Sequence, residues 1–278
     1  HCLSSAASDV YKRQALLNAL ELVGKKIEDI KIVVSGAGAA AIACTKLYIS
    51  FGAKIENIIM TDSKGVINQS RTDLSNEKKF FITKRKINSL EEAMVNSDVF
   101  IGLSMANILT EKMLASMSKD PIVFAMANPD PEINYDIAMS VRDDIIFATG
   151  RSDLPNQVNN VLGFPFIFRG ALDVRATKIN EEMKKAAVVA LAELAKKPVP
   201  EQVNIAYDET KLLFGKDYII PKPFDPRLIS EIPPAVARAA MESGVAQEPI
   251  TDWDKYTQIL EERPVSYTHL RAHETVSH

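Results

Sequence analysis

The chain has 278 residues, 46% of them hydrophobic, a formal net charge of -3 and two cysteines. The length and apolar content suit one large or two ordinary domains with a substantial core. The charge offers no basic surface for nucleic acid or a membrane, and Cys2 and Cys44 are too few for a disulfide framework.

No apolar run is long enough to cross a bilayer and no secretory signal is evident, so the expected location is the cytoplasm. All four histidines, His1, His269, His273 and His278, lie at the ends of the chain. Residues 2–268 therefore cannot by themselves build a Ser-His or Cys-His pair or a histidine-bound zinc site. Residues 1–14 and 264–278, rich in Ser, Thr, His and Arg, fit no period that continues into the body. They read as non-native flanking sequence, which leaves 15–263 as the native domain.

The body alternates between helix and strand. Ala15–Val23 is expected as a short helix ending at Gly24, followed by a strand over Lys31–Ser35, a helix over Ala39–Phe51 and a strand over Asn57–Asp62. Ser63–Lys86, with seven lysines and arginines and little periodicity, is expected as a loop with a solvated charged face. Ser89 and Glu92 form a capping box for a helix over Ser89–Asn96. Strands over Asp98–Leu103, Ile122–Ala127 and Ile145–Thr149 are separated by helices near Thr110–Met117 and Asn134–Ser140. This order predicts an α/β fold of the Rossmann type, a doubly wound parallel sheet with helices on both faces. Beyond it, Gly150–Gly170 is too irregular for a simple helix. Lys178–Lys197 is an amphipathic helix stopped by Pro198, and a last helix covers Ala235–Ser243.

The first strand and helix are joined by Ser35-Gly36-Ala37-Gly38-Ala39-Ala40-Ala41. Gly36, Gly38 and Ala41 occupy the three small-residue positions of a dinucleotide-binding turn. The first glycine permits the tight turn, the second lets a pyrophosphate approach the backbone, and the third small residue lets the helix pack on the strand. Phosphates are expected at the helix N-terminus, against its free N–H groups and the positive end of its dipole. Asp62 ends the second strand, where an acidic residue meets the adenosine ribose. Ligands of such sheets bind beyond the strand C-termini, here Ser35 with Gly36, Asp62, Ser104, Asn128, and Thr149 with Gly150, of which Ser104 and Asn128 are added to the cofactor site. Asn128 suits a carboxylate or a nicotinamide ribose, or alternatively organises its own Asx turn. Asn159 and Asn160 suit a substrate carboxylate, and neighbouring Asn156 and Gln157 favour a shared binding role over an isolated structural one. The acidic pairs Glu91-Glu92, Asp143-Asp144 and Glu181-Glu182 read as solvated helix ends, so no metal site is assigned.

Taken together, Val-Val-Ser-Gly-Ala-Gly-Ala-Ala-Ala-Ile-Ala, Thr-Asp-Ser-Lys-Gly-Val-Ile, Ala-Asn-Pro-Asp-Pro-Glu and Gly-Arg-Ser-Asp-Leu-Pro-Asn-Gln-Val-Asn-Asn-Val-Leu-Gly-Phe-Pro-Phe resemble the NAD(P)-binding domain of bacterial malic enzymes, from about Ala15 to Arg263. The resemblance implies oxidative decarboxylation of (S)-malate to pyruvate and CO2 with reduction of NADP or NAD, aided by Mg2+ or Mn2+, in an enzyme expected to be a homo-oligomer. It places Ala37–Ala40 at the pyrophosphate, Asp62 at the adenosine ribose, and Asn128 and Asn160 at cofactor and malate. The family's catalytic tyrosine and lysine and its acidic metal ligands lie N-terminal to the matching stretch. The chain is therefore expected to supply the cofactor domain without the catalytic residues. Asp62 argues for NAD; Ser63, Lys64 and Arg71 argue for NADP, towards which the resemblance tilts. The alternative is a non-catalytic dinucleotide-binding module.

Overall fold

Short runs of β-branched and aromatic residues build a six-stranded sheet. The computed structural model describes residues 2–158, 162–209 and 211–262. In chain order its elements are α1 (Cys2–Val23), β1 (Ile32–Ser35), α2 (Ala39–Ile49), β2 (Ile58–Asp62), β3 (Gly65–Val66), α3 (Asn76–Lys79), α4 (Leu90–Met94), β4 (Val99–Gly102), α5 (Glu111–Ala115), β5 (Ile122–Ala125), α6 (Tyr135–Val141), β6 (Ile146–Thr149), α7 (Phe164–Asp173), α8 (Glu181–Lys196), α9 (Glu201–Ala206), α10 (Arg227–Glu242) and α11 (Trp253–Glu261). The chain divides into two compact units, one formed by residues 15–158 and 214–220, the other by 1–14, 159–213 and 221–278.

The first unit holds the sheet, in the order β3-β2-β1-β4-β5-β6. β2, β1, β4, β5 and β6 run parallel, with Ser35 opposite Thr61 on one side and Gly102 on the other. Each is buried almost throughout, as a sheet covered on both faces requires. Val33, Ile59, Phe100, Val123 and Phe147 point to one face, where they join Met94, Leu114 and Ala138 from α4, α5 and α6 in a single apolar cluster. The expected strands are all present, shorter by one or two residues at their ends.

The structure departs from expectation at several points. The sheet is parallel except at its edge, where β3 pairs antiparallel with β2, Asp62 opposite Gly65. The segment 63–86 is accordingly not all loop: it contains β3 and α3, the latter capped by the Ser75 side chain. And α1 does not begin at Ala15 but runs unbroken from Cys2, because no glycine or proline interrupts it before Gly24, at φ +65°.

In the second unit α10 packs against α7 and α8. α10 starts at Arg227, not Ala235, and continues through Pro233 and Pro234. Its buried Leu228, Ile232, Val236 and Ala240 keep a four-residue spacing across the prolines, so packing of this face outweighs their cost. Gly170 allows the close approach of α7, since a Cβ there would lie 2.5 Å from the Pro233 carbonyl oxygen. α7 itself tolerates Pro165 because it falls in the first turn, where no helical N–H is needed. Arg238 stacks over the Trp253 ring at 3.8 Å, joining α10 to α11. Among the described residues no helix is long and apolar enough to cross a membrane.

Candidate dinucleotide-binding site

The strand order reverses between β1 and β4, and this is where the glycine turn lies. Gly36 adopts φ +113°, and an added Cβ would lie 2.5 Å from the Leu103 carbonyl oxygen. Glycine is therefore demanded twice, by the backbone and by the neighbouring chain. The turn is fixed on both sides: the Gly36 N–H donates to the Thr61 carbonyl at 2.9 Å, and the Leu103 N–H to that of Ser35 at 2.8 Å.

Gly38 has the opposite character. It is exposed, adopts an ordinary extended conformation at the N-cap of α2, and an added Cβ would meet nothing within 4 Å. The protein itself gives no reason for a glycine there, whereas a ligand pressed against the backbone does. Ala39 and Ala40 are exposed too. The first bond of the α2 ladder is from Ile42 to Gly38, so the N–H groups of Ala39 and Ala40 begin the helix without a helical acceptor. No acidic residue lies in this first turn, leaving the positive end of the helix dipole available to an anion.

Asp62 ends β2, one residue beyond the partner of Ser35. Its side chain is only 10% exposed and is held by two cationic side chains and one backbone N–H. Arg71 donates through Nη1 to Oδ1 at 3.1 Å and through Nη2 to Oδ2 at 3.2 Å; Lys78 Nζ donates to Oδ2 at 2.7 Å, and the Lys64 N–H to Oδ1 at 3.0 Å. Burial pushes the Asp62 carboxyl up, but these donors outweigh it and hold it well below the usual carboxylate range. Asp73 engages the other side of Arg71, with Nε at 2.6 Å, and also accepts from Lys64 Nζ at 2.7 Å.

Ser104 and Asn128 follow β4 and β5, both exposed at the same end of the sheet. The Ser104 hydroxyl lies 2.9 Å from that of Ser35. Asn128 precedes a cis bond to Pro129. The sheet thus brings Gly36, Ala37, Gly38, Ala39, Ala40, Asp62, Ser104 and Asn128 to the C-terminal ends of four adjacent strands. Asn159 and Asn160 lie outside the described residues. Asn156 has a structural role: its buried amide donates to the carbonyls of Phe147 and Lys216 and accepts from the Ile219 N–H. It pins segment 214–220 to the sheet.

Glu132 is a residue of this site that the sequence alone does not reveal. It is fully buried beneath the loops after β4 and β5, where one carboxylate oxygen accepts from the Ser104 N–H at 3.3 Å and the other from the Ala127 N–H at 3.0 Å. Burial pushes its carboxyl up, against the N–H donors that favour the ionised form. Gly102 makes the room, since a Cβ there would lie 2.2 Å from Glu132 Cδ. The available signal was a glycine ending an otherwise apolar strand.

Among the described residues no three His, Cys, Asp or Glu side chains come together as a metal-binding cluster. The acidic pairs serve other ends: Glu92 closes its capping box, Asp144 pairs with Arg142, and Glu181 with Lys184.

Residues 10–208 match the family described as "Malic enzyme, NAD binding domain". The chain is 56% identical to an NADP-dependent malic enzyme of Halomonas elongata, over 84% of this chain and 56% of that protein. It is 51% identical to an NAD-dependent malic enzyme of Rhizobium meliloti, over 88% of this chain and 32% of that one. It therefore spans between about a third and just over half of these curated relatives. Among solved structures, a malic enzyme from Pyrococcus horikoshii superposes with a TM-score of 0.81 at 32% identity, covering 97% of this chain and 61% of the other.

Proposed function

We propose that this chain, which belongs to the malic enzyme family through its NAD-binding domain, holds the nicotinamide dinucleotide in the oxidative decarboxylation of (S)-malate to pyruvate and CO2. The observation that carries the proposal is the pairing of Gly36, which the fold requires, with Gly38, which only a ligand requires, at the point where the strand order reverses.

The bound dinucleotide would supply the hydride acceptor. The residues present fit it: the exposed N–H groups of Ala39 and Ala40 would donate to the pyrophosphate, and the Gly38 backbone would lie against it. Ser104 and Asn128, on the far side of the switch point from Asp62, would face the nicotinamide half. Glu132 would hold the loops that carry them, through its bonds to Ser104 and Ala127. Asn159 and Asn160 are proposed to meet the substrate carboxylate, with amides that add no charge of their own. The work assigned to the described residues is binding and orientation, and none of it needs a metal cluster among them. Cys44 is buried as a thiol, which suits the reducing cytoplasm in which we place the reaction.

The test is a fluorescence titration of NADPH into the 278-residue chain alongside an assay of malate-dependent reduction. Saturable binding without turnover is expected, because this chain is proposed to hold the cofactor while the proton-transfer residues belong to the rest of the enzyme. Turnover at ordinary enzyme rates would overturn that division, and absence of binding would overturn the cofactor role.

A further inference from the structure

Glu132 is buried without the partner that a buried acid ordinarily has. Asp62 is held by Arg71 and Lys78, and Asp225 by Arg227, whereas no cationic side chain among the described residues pairs with Glu132. Both its oxygens accept from backbone N–H groups, those of Ser104 and Ala127, which is the pattern of an ionised, acceptor-only carboxylate. The residue is 0% exposed, and burial opposes its charge. An unpaired carboxylate in such a place costs the folded chain free energy until a cation meets it.

The surroundings narrow the choice of cation. The carboxylate lies against Gly102, which pairs with Ser35 where the strand order reverses. The main chain holds it there as well: the Leu109 N–H donates to the Glu132 carbonyl at 2.9 Å, and the Asn107 N–H to that of Pro131 at 3.1 Å. The charge is therefore fixed beneath the loops that carry Ser104 and Asn128, on the side assigned above to the nicotinamide. Its chain neighbour Ile133 and its hydrogen-bonded neighbour Leu109 both belong to the apolar cluster of the sheet, so water is kept from screening it. Asp130, two residues earlier, is exposed and screened by solvent.

We infer that the buried Glu132 charge makes the site select the oxidised, positively charged nicotinamide over the reduced, neutral ring. The inference rests on the dinucleotide-binding role proposed above. Oxidised nicotinamide carries a formal positive charge and loses it on accepting hydride, so a fixed anion nearby favours the first form and is indifferent to the second. In the proposed reaction the oxidised form enters and the reduced form leaves. The charge thus draws the cofactor in and ceases to hold it once hydride has transferred. Glu132 is a specificity-determining residue that acts through space; its anchoring of the two loops is a separate effect and serves both forms alike.

Calorimetric titration of NADP+ and NADPH, each into the full chain and into Glu132→Gln, tests this. The amide keeps the shape of the side chain and removes its charge. At the effective dielectric of a protein, two unit charges about 10 Å apart shift an equilibrium about tenfold. Glu132→Gln is therefore expected to weaken NADP+ relative to NADPH about tenfold, read as the change in the ratio of the two Kd values. Damage to the loops weakens both forms and cancels in that ratio. An unchanged ratio would overturn the inference and leave Glu132 a loop anchor, and a ratio moved in favour of NADP+ would overturn it too. Either result leaves the cofactor role standing, whereas binding of neither form by the wild type would remove both. Should Glu132→Gln not fold, judged by circular dichroism, Glu132→Ala carries the same expectation.

Discussion

A methyl group at Gly102 would lie 2.2 Å from the Glu132 carboxyl carbon, so this glycine and this buried acid depend on each other. Gly102→Ala is expected to cost about 1–3 kcal/mol, as overpacking of a close-packed interior does. In a Glu132→Ala background the obstructing group is gone, and the same substitution should cost much less; equal costs in a double-mutant cycle would refute the coupling. Titration adds a second handle. The raised pKa of Glu132 means that the folded chain holds this proton more tightly, so its contribution favours folding at low pH and is lost as pH rises from 4.5 through the folded value. Measured against Glu132→Gln, the wild type should therefore lose relative stability across that window, and a flat difference would contradict this. Asp62 has the opposite sign: its depressed pKa gives stability present above 3.8 and lost as pH falls through the folded value. The stability gap between wild type and Asp62→Asn should close in acid.

At the scale of elements, those that carry their own end signals were legible in the sequence. Ser89 accepts from the Glu92 N–H and Glu92 returns a bond to the Ser89 N–H, as their spacing implied. Thr110 and Asn134 likewise cap α5 and α6. Ser89→Ala should cost about 1 kcal/mol in denaturant unfolding. Proline-bearing elements were misjudged because proline is a local signal and packing is not: α7 and α10 form where a buried face supports them. The segment 214–220 shows the same limit. It is tied to the sheet through three bonds of Asn156, which adopts φ +54°, a conformation asparagine tolerates better than most residues. Asn156→Ala leaves those buried backbone groups unpaired and should cost about 2–3 kcal/mol. Faster proteolysis within 214–220 would accompany it; an unchanged cleavage pattern would show that the amide is dispensable.

For the whole molecule, the alternation of strand and helix identified the doubly wound sheet, and the spacing of strand ends identified most of the candidate site. Fixed offsets along one βαβ unit made Gly36, Gly38 and Asp62 visible. Lys64 and Arg71 were visible as candidate phosphate ligands, but their bonds to Asp62 were not, nor was Lys78, because Arg71 and Lys78 lie nine and sixteen residues away in a segment without periodicity. Only the folding of β3 and α3 back beside β2 brings them to the carboxylate. Glu132 was hidden for the same reason, since the room it needs is made by Gly102, far earlier in the chain. Gly38 offers the cleanest measurement, since its replacement touches nothing in the protein. Calorimetry of NADP with wild type and Gly38→Ala should give binding about tenfold or more weaker in the variant, with an unfolding midpoint within about 2 °C. Equal affinity in the two proteins, or no binding by the wild type, would contradict a dinucleotide at this turn.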